Sequence, residues 1–279
     1  MRKVKAQAVE EAVRRACIEA NLVGSKDLVE AFQRAREIEE SETGRAVLDQ
    51  LLENLRIAER EKIPICQDTG YAVFFVERGE ELMIEGGTLD EAINAGMMRG
   101  YTDGYLRKGT CDCLTRKNRG DNSPAVIYTE CIPGDGLKIS FMAKGGGSEN
   151  MSGVAMLKPA QGWKGIREFV VGTVDKAGAN PCPPIIIGLG IGGTMDKAAV
   201  NAKKALLRPL GEKNPDPELA AMEAELLEAV NKLGIGPQGY GGRVTALGVS
   251  IIRWPCHIAS LPVAINVQCH ASRHREIEL

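Results

Sequence analysis

Three helical hydrophobic patterns fill the first 62 residues. Pro64 ends the last of them, ahead of a continuous apolar run, Tyr71–Val76. The first pattern covers residues 3–20. The second follows Gly24-Ser25, with Ser25 as candidate N-cap and Leu28, Ala31, Phe32, Ala35 and Ile38 as its apolar stripe. The third runs from Thr43 to Lys62, with Leu48, Leu51, Leu52 and Leu55 on one face. A proline pushes the residue before it out of helical geometry, so the chain leaves the helix near residue 63. A short apolar run bounded by proline and glycine then reads as a buried strand. The expected class is α/β (α+β), with a helical N-terminal layer over residues 1–62 packed on mixed β-sheets.

The rest of the chain alternates in the same way. Gly86-Gly-Thr88 opens a helix from Leu89 to Gly100, and residues 101–124 are polar and irregular. The β-rich runs Ala125–Cys131 and Leu137–Ala143 flank Pro133-Gly-Asp-Gly136, the composition of a hairpin turn. Residues 163–177 are helical and stop at Gly178, and Ile185–Ile187 is a strand. A helix follows from Thr194 to Leu207, and a second, after the proline-rich loop Asn214-Pro-Asp-Pro217, runs to Leu233. A glycine-rich segment, Gly234–Gly242, precedes two closing β-rich runs, Val244–Trp254 and Leu261–Val267. No repeat is evident and only residues 208–217 have linker composition, so one domain over 1–279 is expected. In it, residues 63–279 carry the chemistry.

Charge narrows the function. Lys and Arg number 35 against 37 Asp and Glu, a net charge of −2. Nucleic-acid and membrane-surface proteins need a basic footprint, and neither partner is expected. No apolar run approaches the ~20 residues of a membrane span. Met1-Arg-Lys-Val-Lys-Ala lacks the apolar core of a secretion signal, which implies a cytoplasmic protein.

Eight cysteines are many for such a chain, and a reducing compartment argues against a disulfide framework. There is no Cys-x-x-Cys, and Cys111 and Cys113 are too close for a metal knuckle. Three cysteines instead stand at the loop edges of β elements. Cys66 opens Cys66-Gln-Asp-Thr-Gly70, which sets a thiol, an amide, a carboxylate and a hydroxyl on consecutive residues ahead of a strand. Cys182 lies between prolines in Asn180-Pro-Cys-Pro-Pro184, and Cys269 directly follows the last β run. Three thiolates from separate loops suit an iron–sulfur cluster better than structural zinc, which prefers four ligands and local pairs. Three ligands on four irons would leave one iron open as a Lewis acid. Lys144-Gly-Gly-Gly-Ser-Glu-Asn150 adds backbone N–H groups able to converge on a ligand.

Gly188, Gly190 and Gly193 match the dinucleotide fingerprint after a strand and before a helix. The continuation fails: Glu212 stands at the right distance, but in a proline-rich loop with no second strand before it. What survives is an anion cradle at a helix N-terminus. Cys256 beside His257 suggests a nucleophile–base pair, but neighbours on an extended chain point to opposite faces.

Four motifs in order resemble one family: Cys66–Gly70, Lys144–Asn150, Pro184 through Gly193 to Asp196-Lys-Ala, and Pro255-Cys-His-Ile-Ala-Ser260 to Cys269. They are similar to the class I fumarate hydratases, iron–sulfur hydro-lyases with L-tartrate dehydratase as a close relative. The resemblance covers residues 5 to 275 and implies a fold like the N-terminal domain of that class. It implies a [4Fe-4S] cluster on Cys66, Cys182 and Cys269, with Asp68 and His257 as proton-handling catalytic groups. Gln67, Arg107 and Gly146 would border a small dicarboxylate. It further implies the alpha subunit of a two-chain enzyme that hydrates fumarate to L-malate, or an L-tartrate dehydratase alpha subunit. A beta subunit would complete the site, in an αβ pair that dimerises. One departure is visible: Cys256 stands where single-chain members carry arginine. Two readings of other kinds stay open, a nucleotide-binding oxidoreductase built on Gly188–Gly193 and a non-catalytic interaction subunit whose cysteines are core.

Overall fold

A computed structural model describes residues 1–279. The chain divides into two compact units. The first comprises Met1–Ser25, Leu55–Gly146 and Arg273–Leu279; the second comprises Lys26–Asn54 and Gly147–Ser272. In chain order the elements are β1 (Arg2–Lys5), α1 (Ala6–Leu22), α2 (Lys26–Ile38), α3 (Glu42–Glu61), β2 (Tyr71–Gly79), β3 (Leu82–Glu85), α4 (Leu89–Asp103), β4 (Val126–Ile132), β5 (Leu137–Lys144), α5 (Gly146–Glu149), β6 (Gly153–Leu157), α6 (Gly162–Ala177), β7 (Ile185–Gly192), α7 (Met195–Ala205), α8 (Pro217–Asn231), β8 (Ala246–Trp254), β9 (Leu261–Gln268) and β10 (His274–Glu278). The mixed α/β class is the expected one. The three N-terminal patterns are all helices, except that residues 2–5 form a strand paired with β3. No helix is long and apolar enough to cross a membrane.

In the first unit a four-stranded sheet runs β10-β5-β2-β4. β2 is central and buried over Ala72–Val76, as its unbroken apolar run requires. Phe74 stands opposite Phe141 of β5, ring centroids 5.2 Å apart. Val13 and Cys17 of α1 and Ile93, Met97 and Tyr101 of α4 join them in one core. α4 starts on a capping box, in which Thr88 Oγ1 accepts the Glu91 N–H and the Glu91 carboxylate accepts the Thr88 N–H. The expected hairpin of β4 and β5 does not form. β2 lies between them, parallel to β4 and antiparallel to β5. The more apolar strand takes the central place, and the Pro133–Gly136 segment bonds to the end of β2 instead: Gly79 N–H donates to Gly136 O and Glu81 N–H to Gly134 O.

In the second unit the sheet runs β6-β9-β7-β8. Ile185, Ile187 and Leu189 of β7 and Val263, Ile265 and Val267 of β9 face the apolar stripes of α6 and α8. The opposite face takes α7 through Ala198, Ala202 and Ala264. This corrects the reading of Gly188–Gly193 as an anion-binding turn, because β7 continues through Gly192. Gly188 and Gly190 are strand residues, and a Cβ on either would lie 2.0 Å from the α7 carbonyls of Ala202 and Ala198. Their spacing serves a close helix–strand approach, leaving no cradle for a nucleotide phosphate. Gly190→Ala should therefore destabilise the chain by at least about 1–3 kcal/mol, read as a lowered Tm; an unchanged Tm would contradict this packing.

Candidate functional site

The stretch Cys66–Gly70 leads into β2, and its backbone is fixed from below by the first unit's own core. Ile65 N–H donates to Asn21 O at 2.8 Å. The Tyr101 hydroxyl donates to Thr69 O at 2.7 Å, and burial pushes that phenol far up, so it stays a donor. Arg273, 1 % exposed, donates through one guanidinium nitrogen to Asp68 O at 2.5 Å and to Asn21 Oδ1 at 3.3 Å. A buried cation is thus placed under the Asp68 peptide.

The Asp68 side chain is held as firmly. Oδ1 accepts the Gly70 N–H at 2.9 Å and Oδ2 accepts the Gly146 N–H at 2.8 Å. Gly146 is therefore brought to Asp68, with its N–H already used by the carboxylate. Arg107 also joins this stretch through its backbone: Thr69 Oγ1 donates to Arg107 O at 2.7 Å, while the Arg107 side chain is exposed. Asn122, buried at φ 64°, anchors the same loop. Its Oδ1 accepts the Gly109 and Thr110 N–H groups and its Nδ2 donates to Gly70 O. Gln67 is exposed, and the half-buried Cys66 thiol lies 3.5 Å from its Oε1.

In the second unit Cys182 is exposed at φ 55°. Its N–H donates to Ala179 O, and its own carbonyl accepts the His270 N–H. Cys269 follows β9 and is half-buried. His257 sits in the exposed β8–β9 loop, its Nδ1 accepting the Ala259 N–H at 3.1 Å, which leaves Nε2 for another partner. Cys256 instead points its thiol to Ser260 O at 3.2 Å, so Cys256 and His257 bond to different partners. The loop rims an apolar cavity of 340 Å³ lined by Trp163, Ile166, Leu219 and Met222.

The eight cysteines are all free of disulfides. Cys17 is fully buried, and desolvation pushes its thiol far above the usual range, which makes it an inert core residue. Across the chain no three His, Cys, Asp or Glu side chains gather about a single metal-ion position. Sequence reasoning missed Arg273, Tyr101, Asn122 and Asn21. Each acts through burial and a distant partner; the one available signal was an arginine directly after the Cys269-His-Ala-Ser run.

Comparison with known proteins identifies the family. The family model for fumarate hydratase (Fumerase) matches residues 10–278, taking in both units. A putative L(+)-tartrate dehydratase subunit alpha from Methanocaldococcus jannaschii is 43% identical over 262 residues, covering 91% of this chain and 92% of that protein. L(+)-tartrate dehydratase subunit alpha from Escherichia coli (strain UTI89) is 32% identical over 251 residues, 88% of this chain and 82% of its own length. Its Shigella sonnei counterpart is 31% identical over the same length. The chain therefore belongs to the fumarate hydratase (Fumerase) family of hydro-lyases.

Proposed function

We propose that this chain is the cluster-bearing alpha subunit of a hydro-lyase that adds or removes water on a four-carbon dicarboxylate. Both units work in it as one domain, and a beta subunit completes the site. The observation that carries this reading is the Asp68 carboxylate, fixed by two backbone N–H groups next to an accessible thiol and an exposed amide.

Cys66, Cys182 and Cys269 would hold a [4Fe-4S] cluster. The donor chemistry fits: the three thiols are unbridged and at least partly exposed on loops at strand edges, unlike Cys17. Cysteines that bind different irons of one cluster need not converge on a point, which accords with the lack of a mononuclear site. When bound, the cluster supplies a Lewis-acidic iron for the substrate oxygen.

The chain's own residues do the remaining work. Asp68 and His257 Nε2 exchange the proton of the departing or incoming water. Arg107 pairs with a substrate carboxylate, and Gln67 hydrogen-bonds to the substrate. Gly146 acts through Asp68, locking its carboxylate in one orientation. The base for the carbon-bound proton comes from the partner, so the chain alone lacks full activity.

L-tartrate is the first substrate to assay, since relatives named for it align over most of this chain. Loss of water from tartrate gives the enol of oxaloacetate. Fumarate and L-malate are the second pair, after the family model's name. The test is iron and acid-labile sulfide on protein prepared anaerobically, with an EPR spectrum, then both substrates with the partner added. About four of each per chain is the expected result; no iron under reconstituting conditions would sink the reading.

A further inference from the structure

The glycine-rich segment Gly234–Gly242 has no part in the chemistry above, yet it is tied to both cysteine loops of the second unit. Gln238 is its centre. It is one of few non-glycine residues at positive φ, 52°, between Gly236 and Gly239, which are also left-handed. The Gln238 N–H donates to Pro183 O at 2.7 Å, and its side-chain Nε2 donates to the same carbonyl at 2.7 Å. A carbonyl only accepts, so the amide must present its NH2 there. The same Nε2 lies 3.0 Å from His270 Nδ1.

Pro183 directly follows Cys182, and His270 directly follows Cys269. One amide nitrogen therefore spans the residues after both cysteines. A second link runs alongside, from the His270 N–H to Cys182 O at 3.3 Å. His270 Nδ1 serves the tie in either tautomer, accepting from Gln238 or donating to Cys182 O at 3.1 Å. The segment comes close because Gly239 has no side chain: a Cβ there would lie 2.3 Å from the Ala179 Cβ. Left-handed φ costs a glutamine about 1 kcal/mol or more, here offset by its two bonds to Pro183 O.

We propose that Gln238 is a positioning residue that fixes the Cys182 and Cys269 loops relative to each other, so that both thiolates are set before a cluster binds. The inference rests on the cluster reading given above. It assigns the glycine-rich segment a role outside the ligand set, as a clamp on retention of the cluster.

Gln238→Gly separates this role from a merely structural one. Glycine adopts the left-handed conformation freely and keeps the backbone bond to Pro183 O, so Tm should hold or rise. The side-chain tie is lost. Iron release to a chelator, followed by absorbance on the anaerobic full-length chain, should become about 10-fold faster, the usual range for an outer-shell partner. Gln238→Glu, which sets a carboxylate against Pro183 O, should release iron at least as fast. Wild-type release rates in both folded variants would overturn the clamp while leaving the cluster intact. A wild-type chain that takes up no iron overturns the cluster reading, and the clamp with it.

Discussion

Asp68→Asn should lower kcat by about 10²–10⁴-fold in the enzyme assembled with its partner, the usual range for a positioned proton-transfer group. The geometry makes this substitution unusually informative. Both carboxylate oxygens accept a backbone N–H, from Gly70 and from Gly146. An asparagine has one acceptor oxygen, so its NH2 must face one of those donors. The cost of that clash is about 1–3 kcal/mol of stability, comparable to the ~2.7–5.5 kcal/mol that a 10²–10⁴-fold rate loss represents, so folding must be read beside the kinetics. The measurement is kcat and KM on the same preparation, with Tm as a folding control. A fall in kcat at nearly constant KM assigns proton transfer, because the lost interaction then belongs to the transition state. A rise in KM with kcat unchanged would make Asp68 a binding group. Activity within threefold of wild type would remove it from the site.

The parts of this molecule that were legible in the sequence are those set by local pattern. The helices α1 to α4 and α6 to α8 follow from periodicity and the stop at Gly178, where φ is 54°, whereas Ser25, read as the N-cap of α2, makes no capping bond through its hydroxyl. The buried run of β2 follows from its composition. What was illegible depends on partners distant in the chain. β10 reads His274-Arg-Glu-Ile-Glu, a charged stretch, and is a strand only because it pairs with β5. The hairpin of β4 and β5 failed because a strand that ends at Gly79 takes the place between them. Glycines 188 and 190 looked like a turn because glycine is rare in strands, and nothing local announces that a helix backbone must pass so near. The site divides in the same way. Residue types and loop positions of Cys66, Asp68, Cys182 and Cys269 could be read directly. That Asp68 would be fixed by Gly146, 78 residues away, or propped by a buried Arg273, could not.

The largest effect on stability should come from a residue with no part in the chemistry. Glu39 follows α2 and is fully buried. Its Oε1 accepts the N–H groups of Glu40, Ser41 and Arg243 at 2.9, 3.0 and 2.9 Å, and Oε2 accepts the Val244 N–H at 2.8 Å. One carboxylate thus caps the α2–α3 corner and holds the segment leading to β8, within the same unit. Burial pushes the carboxyl up, but the four backbone donors outweigh it and hold its pKa below the usual range. Glu39→Ala removes the acceptor of four N–H groups, the Val244 one buried and the other three part-buried, and should cost about 2–4 kcal/mol. Glu39→Gln can place its oxygen on the three donors at Oε1 and turns only its NH2 against Val244, for about 1–3 kcal/mol. The pH dependence has a fixed sign. A carboxyl with a lower pKa folded than unfolded binds its proton more readily in the unfolded chain, so the stability it lends is fully present above the unfolded value, about 4.3. That stability is lost as pH falls through the folded value. The gap in urea midpoint between wild type and Glu39→Gln should therefore stay constant from about pH 6 to 8 and close below about pH 4.3. A gap that persists unchanged in acid would mean that the amide loses packing alone, and that the charge on Glu39 does not hold this corner.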